Sequence, residues 1–189
     1  MNGDYFPNLA VPLLGRFQVQ NAVAAVAAAW ELRRQGFRIS PSAITAGVSQ
    51  ASWPGRLEVI REQPLVLIDG AHNPAGAREI AAFVCEHLAG RRLRLLYASM
   101  RDKAITEITE ILFPLAEEIY LTRPEHARAA SPDEILAAAR IGAAPIHIEP
   151  DPARALALAC QSSRPEDVVL AAGSLFLVAD IRKAMGRKP

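Results

Sequence analysis

LVLIDGAHNPAGAREI, residues 65–80, combines the end of an apolar strand, a polar turn and the start of an amphipathic helix. The apolar run at 65–68 predicts a short buried β-strand that stops at Asp69. Asn73 followed by Pro74 is typical of a helix start, with asparagine as N-cap and proline at the first helical position. The stretch therefore predicts a strand–turn–helix unit, whose helix has its apolar face at Ala77, Ile80, Ala81, Val84 and Leu88.

The same alternation of strand and helix continues along the rest of the sequence. The continuous apolar character of the later strands indicates a mostly parallel sheet with helices on both faces, an α/β fold. The run LEVI at 57–60 is short and close to the next strand, so we expect an antiparallel edge hairpin there. The other predicted strands are 93–99, 118–122, 145–149 and 167–173, and the helices are 74–89, 103–116, two that open at Ser131 and Asp151, and 174–186.

Residues 1–52 do not share this alternation. A helix is predicted over 18–36, with an apolar face at Val19, Val23, Val26 and Trp30, and a shorter helix follows Ser40 up to about residue 50. These helices have no sheet of their own, so we expect them to be the end of another domain that docks through the apolar face. The predicted domains are therefore 1–52 and 53–189.

Composition excludes several classes of protein. The 21 basic and 20 acidic residues leave a net charge of +1, which does not favour a nucleic-acid partner. No apolar run approaches the roughly 20 residues of a membrane span, and the first residues lack a signal-peptide pattern, so we expect a cytoplasmic protein with no membrane partner. Cys85 and Cys160 fall in helical patterns, where we expect both to be buried as small apolar groups.

Three polar stretches follow predicted strands, and ligands of open α/β sheets bind at the carboxyl ends of strands. In DGAHNP, Asp69 could accept hydrogen bonds from sugar hydroxyls or an ammonium group, and His72 could donate to a carboxylate or phosphate. Ser174, which opens the last helix, could bind an anion together with the helix N-terminus. Lys103, in the RDK loop at 101–103, could supply a cationic contact. Ordinary helix caps and a solvated turn are the alternatives for these three stretches.

Motifs of several other chemistries are missing. The sequence has no GxGxxG after a strand, no GxxxxGK[ST] phosphate loop, no zinc-ligand spacing among its histidines and no GxSxG. A nicotinamide or flavin dehydrogenase, a self-contained phosphate-loop enzyme, a zinc site and a serine hydrolase of that type are thus all disfavoured.

Five stretches, in this order, resemble the pattern of folylpolyglutamate and dihydrofolate synthases, which belong to the Mur ligase superfamily. DGAHNP is the most specific of them. Phe17 departs from the pattern, since the family usually has histidine there. The stretches are VPLLGRFQVQNAVAA (11–25), WPGRLEVI (53–60), LIDGAHNPAGA (67–77), RDK (101–103) and AAGSLFLVADIR (171–182).

The resemblance implies that residues 1–52 are the last helices of a central ATPase domain and that 53–189 is the Rossmann-like carboxy-terminal domain. It implies a ligase that uses ATP and magnesium to phosphorylate a carboxylate of folate or dihydropteroate, after which the amino group of L-glutamate attacks the acyl phosphate. The phosphate loop, the magnesium ligands and much of the folate pocket would lie in a preceding part, so we expect this chain to be inactive alone and to pack against that central domain.

The resemblance also assigns roles to individual residues. Asn21, Arg56 and Asp69 would bind the nucleotide, and His72, Ser174 and Lys103 would line the glutamate site. None of them would act as a nucleophile or general base. Two alternatives remain: another amino-acid ligase of the superfamily, and a free-standing Rossmann-like module that binds a nucleotide or amino acid without catalysis.

Overall fold

A computed structural model describes residues 9–188, which fall into two compact units, one ending at Pro54 and one beginning at Gly55. The first unit contains α1 (Arg16–Arg34) and α2 (Pro41–Ser49), which pack against each other. Helix α1 ends two residues earlier than expected, and Gly36 follows it with a φ of +97°.

The predicted apolar face of α1 is largely uncovered within its own unit. The side chains of Val19 and Val23 are 52% and 65% exposed, and Val26 and Trp30 are half-buried. Only Gln18 and Ile44 are buried among the described residues of this unit. Its origin as the end of a central ATPase domain stays a prediction.

The second unit is built on a six-stranded sheet, and it confirms the predicted α/β architecture. The strand order is β1-β2-β6-β3-β4-β5, in which β1 and β2 are antiparallel and every other neighbouring pair is parallel. The expected antiparallel edge hairpin is therefore present. The strands are β1 (Glu58–Glu62), β2 (Leu65–Ile68), β3 (Leu93–Tyr97), β4 (Glu118–Leu121), β5 (Ile146–Ile148) and β6 (Val168–Ala172).

Helices cover both faces of the sheet, and β3 and β6 are therefore buried along their whole length. Helix α7 packs against β6 and α6, α6 also packs against β3 and β4, and α3 packs against α4 on the other side. These helices are α3 (Pro74–His87), α4 (Ile105–Leu112), α5 (Pro132–Ala138), α6 (Pro152–Gln161) and α7 (Leu175–Ala184), with a short 3-10 turn at Phe113–Leu115.

The helix starts read from the sequence are confirmed by their caps. The side chains of Asn73, Ser131, Asp151 and Ser174 each accept a hydrogen bond from a backbone N–H in the first turn of the following helix. Ser131 forms a complete capping box with Glu134, whose carboxylate accepts from the Ser131 N–H. These caps satisfy amides that a helix start otherwise leaves without a partner.

The prediction that both cysteines are buried is wrong for Cys85. Cys160 is half-buried against the core, but Cys85 is exposed. Cys85 follows Val84, one of the buried residues of α3, and the next position of a helix points about 100° away from it.

A buried charge network lies at the amino ends of the central strands. The Arg94 guanidinium pairs with Asp167 at 2.8 Å and with Glu118 at 3.0 Å, and Arg92 also pairs with Asp167 at 3.0 Å. Arg94 and Asp167 are almost completely buried. This network ties β3, β4 and β6 together at the edge opposite to the predicted ligand edge.

Candidate active-site edge

Asp69 directly follows β2, where the sequence places it, and its carboxylate binds backbone amides of the protein itself. Its Oδ2 accepts from the Leu57 N–H at 2.9 Å, and its Oδ1 accepts from the Ala71 N–H at 2.7 Å. The residue is 2% exposed. Asp69 therefore joins the loop at 55–57 to the turn at 69–73.

Burial raises the pKa of Asp69 above its usual value. The hydrogen bonds from the Leu57 and Ala71 amides oppose this effect, as do the nearby charges of Arg56 and His72. Arg56 and His72 therefore lie close enough to Asp69 for their charges to act on it.

The loop at 55–57 presents Arg56 next to this turn. The Gly55 carbonyl oxygen accepts from the Gly70 N–H at 2.8 Å, and Leu57 is held with a φ of +42°, which is uncommon for a residue other than glycine. The Arg56 side chain is half-exposed, and its guanidinium has no hydrogen bond to any residue of 9–188. The loop is thus fixed by its backbone while its charged side chain remains available.

His72 lies half-buried at the start of the turn before α3. Its Nδ1 is 2.8 Å from the Gly70 carbonyl oxygen, which can only accept, so Nδ1 carries the proton. In the neutral ring Nε2 then accepts hydrogen bonds, and in the protonated ring it donates. The ring orientation is therefore set by the turn, and Nε2 is left to a ligand.

Ser174 is the N-cap of α7, and its hydroxyl is less available than the sequence indicates. Its Oγ accepts from the Phe176 N–H at 3.1 Å, and the residue is 1% exposed. The preceding Gly173 has a φ of +105°, and a Cβ there would lie 2.3 Å from the Ala98 carbonyl oxygen. This turn is therefore in direct contact with the end of β3.

Lys103 lies in a loop that is held by ion pairs. Its Nζ is 3.0 Å from Asp102, and it is only partly exposed. Arg101 pairs with Glu134 at 2.9 Å and donates to the Ala127 carbonyl oxygen. The loop after β3 is thus joined to the segment between β4 and α5.

Five of the six predicted site residues lie at one end of the sheet. Because β2, β6 and β3 are parallel neighbours, the segments that carry Asp69, His72, Ser174 and Lys103 follow their carboxyl ends, and Arg56 precedes the antiparallel β1. Gly70 and Leu175 are close enough that a Cβ on the glycine would meet the leucine side chain at 2.3 Å. Asn21 belongs to the other unit, where it is exposed on α1 and donates to Gln18 at 3.3 Å.

Sequence reasoning missed the partnership between Glu58 and Arg182. The Glu58 carboxylate accepts hydrogen bonds from Arg182, from Arg187 and from the Gly55 N–H. Glu58 and Arg182 belong to two of the five quoted stretches, WPGRLEVI and AAGSLFLVADIR. Their opposite charges were the available signal.

A cavity of about 900 Å³ lies farther along the same edge. It is lined by the segment after β4, the start of α6 and one side of α7, with both acidic and basic side chains. The acidic ones are Glu125, Asp151 and Asp180, and the basic ones are Arg123 and Lys183.

The fold is that of a ligase domain. Residues 55–175 match the family described as Mur ligase, glutamate ligase domain, so this chain belongs to that family. Among curated relatives, it is 29% identical to the dihydrofolate synthase/folylpolyglutamate synthase of Bacillus subtilis over 95% of this chain. It is 35% identical over 95% of its length to a probable bifunctional folylpolyglutamate synthase/dihydropteroate synthase of Halobacterium salinarum.

Solved structures give the same assignment. A folylpolyglutamate synthase from Mycobacterium tuberculosis, complexed with ADP and AMPPCP, matches 96% of this chain with a TM-score of 0.85 and 28% identity. The E. coli FolC structure in complex with DHPP and ADP matches 96% of this chain with a TM-score of 0.83 and 28% identity. The chain covers 43% and 41% of those two structures, 42% of the Bacillus relative and 21% of the Halobacterium relative.

Residues 9–188 contain no group of three or more His, Cys, Asp or Glu side chains arranged to hold a metal ion. Within the same range, no helix has both the length and the apolar character that crossing a bilayer would require.

Proposed function

We propose that this chain forms the glutamate-ligase part of an ATP-dependent enzyme that adds L-glutamate to folate or dihydropteroate through an acyl phosphate. The observation that carries the proposal is the match along 96% of the chain to a folylpolyglutamate synthase complexed with ADP and AMPPCP. Chemistry of this kind depends on positioning and on stabilising charge, which suits a site without a nucleophile of its own.

Arg56 is the strongest nucleotide ligand among the proposed residues. Its side chain is half-exposed and makes no hydrogen bond to any described residue, and its guanidinium suits bidentate hydrogen bonds to phosphate. Asp69 contributes to the nucleotide site by holding the loop that carries Arg56, since its own oxygens bind backbone amides. Asn21 is proposed to contact the adenine edge, for which its amide has both a donor and an acceptor.

His72, Ser174 and Lys103 are proposed to line the glutamate site. His72 offers Nε2, and Lys103 offers a positive charge that is now shared with Asp102. Ser174 acts by fixing the start of α7, where the helix N-terminus favours a carboxylate.

The proposal places magnesium, the phosphate loop and much of the folate pocket outside this chain. Magnesium prefers oxygen ligands, and the described residues offer no such cluster. A relative from Yersinia pestis was solved with AMPPNP and a Mn ion, which supports a divalent metal beside the nucleotide. We therefore expect the 189-residue chain to be inactive alone and to act with a central domain. We propose the cytoplasm as its location.

The test uses the product of the whole reading frame that encodes this chain. With dihydropteroate or folate, ATP and glutamate, we expect ADP release that depends on all three substrates. Arg56→Ala removes a charge-assisted contact and should raise the KM for ATP about ten- to a hundredfold. Arg164→Ala is the matched control, because Arg164 is an exposed arginine just before β6, at the opposite end of the sheet.

Two results would contradict the proposal. An unchanged KM for ATP in Arg56→Ala would remove the nucleotide assignment. Calorimetric titration of the 189-residue chain should show weak or no ATP binding, so micromolar affinity would refute the proposal that the phosphate part of the site lies elsewhere.

A second candidate is a ligase of the same superfamily that acts on a peptidoglycan precursor. It is favoured by 32% identity over 175 residues to the UDP-N-acetylmuramoyl-L-alanyl-D-glutamate--2,6-diaminopimelate ligase of Synechococcus. ADP release with that precursor and diaminopimelate, but not with folate and glutamate, would select it. A lack of ADP release with either set would favour the non-catalytic binding module.

A further inference from the structure

Glu58 is the centre of a cluster that joins β1 to the last helix. Its Oε2 accepts from the Gly55 N–H at 2.8 Å and from the Arg182 guanidinium, and its Oε1 accepts from Arg187 at 3.0 Å. The exposed fraction of the Glu58 side chain is 17% and that of Arg182 is 10%. Three donors of this kind stabilise the ionised carboxylate, although burial opposes it, and the pKa of Glu58 is lowered.

The cluster acts directly on the loop that presents Arg56. Glu58 holds the amide of Gly55 on one side of Arg56, and Asp69 holds the amide of Leu57 on the other side at 2.9 Å. Both held residues have positive φ, +73° for Gly55 and +42° for Leu57. A loop in which two of three successive residues have positive φ needs specific contacts to keep one conformation.

Arg182 keeps Glu58 in place. Arg182 lies near the end of α7 and is almost completely buried, and its Nε donates to the Lys188 carbonyl oxygen at 2.6 Å. The other hydrogen bond of its guanidinium to a described residue is the one to Glu58. A guanidinium fixed in this way restricts the rotamers of its carboxylate partner.

We propose that Glu58, held by Arg182, is a positioning residue that sets where Arg56 is presented to an anionic phosphate group. This inference rests on the proposed function for the identity of the ligand, but the positioning itself does not. Glu58 does not touch the ligand. It acts through the Gly55 amide, so its loss should weaken phosphate binding while the fold is retained.

The first measurement tests positioning without any ligand. Amide hydrogen exchange followed by NMR on the 189-residue chain should show exchange at Gly55 about tenfold faster in Glu58→Gln, because the charge that holds this amide is lost. Glu62→Gln is the matched control, since Glu62 is an exposed glutamate on the same strand and has no side-chain partner among residues 9–188. Unchanged exchange at Gly55 in Glu58→Gln would overturn the proposal.

The second measurement uses the product of the whole reading frame and separates KM from kcat. Glu58→Gln should raise the KM for ATP about fivefold with kcat nearly unchanged, whereas a general loss of folded enzyme would lower kcat with KM unchanged. Arg182→Lys should keep the KM within about twofold because it keeps the charge, and Arg182→Met should behave like Glu58→Gln. Equal KM values in all these variants would overturn the link to the phosphate.

The two measurements distinguish the two proposals. If the unmodified product shows no ATP-dependent activity, the proposed function fails. Faster exchange at Gly55 in Glu58→Gln would still support the positioning of the loop.

Discussion

Replacing Gly173 with alanine tests whether the turn after β6 depends on direct contact with the backbone of β3. At its φ of +105°, a side chain is disfavoured by about 1 kcal/mol or more. The new Cβ would also lie 2.3 Å from the Ala98 carbonyl oxygen and 2.5 Å from the Tyr97 ring. Because a buried strand cannot move aside freely, crowding should cost a further ~1–3 kcal/mol. The expected loss in free energy of unfolding is therefore about 2–4 kcal/mol.

Gly90→Ala provides the matched control. Gly90 has a φ of +80°, but a Cβ there would meet no atom within 4 Å. This variant should lose only the conformational part, about 1 kcal/mol. The difference between the two variants then measures the contact between the turn and β3.

Urea unfolding followed by NMR is the suitable assay. Both tryptophans, Trp30 and Trp53, precede Gly55 and so belong to the unit without the sheet. The amide signals of β3 and β6 report directly on the unit that contains the sheet. Equal losses in the Gly173 and Gly90 variants would refute the argument from close contact.

Three further predictions concern other parts of the sheet unit. Asp167→Ala leaves the buried Arg94 guanidinium on β3 without its main partner and should cost about 3–5 kcal/mol of unfolding free energy. Glu117→Ala removes only an exposed partner of Arg92 and should cost under about 1 kcal/mol. Similar losses for the two variants in urea unfolding would contradict this. The Arg101 guanidinium and the Ser131 amide lower the pKa of Glu134 from 4.5 to about 2. The stability that this carboxylate contributes is therefore complete above pH 4.5 and is lost as the pH falls toward 2. A ¹³C NMR titration of the Glu134 carboxyl with a midpoint near pH 4.5 would refute this. Asp69→Asn leaves either the Leu57 or the Ala71 N–H without an acceptor. It should cost about 1–3 kcal/mol of unfolding free energy. An unchanged urea midpoint would contradict this.

The strand–turn–helix units were predictable because local residues determine them. The cap at Asn73 and Pro74 forms from a hydrogen bond that spans three residues, and the apolar face of α3 follows from helical periodicity. The edge hairpin was predictable for the same reason, since β1 and β2 are close in sequence. Strand order is different, because it depends on which apolar strands meet after long connections.

The candidate site was predictable as a location but not as a set of available side chains. Asp69 and Ser174 lie where expected, yet both are buried and their oxygens bind backbone amides. Which of the polar side chains at a turn satisfies the turn itself depends on geometry that spacing does not contain. The pair between Glu58 and Arg182 joins positions 124 residues apart, which no local pattern reveals.

The position of β6 has a consequence for the order of folding. This strand is the sixth of the six in sequence, but it lies between β2 and β3, which do not pair with each other. During synthesis, β2 and β3 can therefore join one sheet only after residues 168–172 have been made. Long-range pairing of this kind slows folding. A truncated chain that ends before β6 would keep the DGAHNP turn but would lack the strand that joins it to the loop after β3. The part of the carboxyl edge that joins the DGAHNP turn to the loop after β3 can therefore be complete only once β6 has paired.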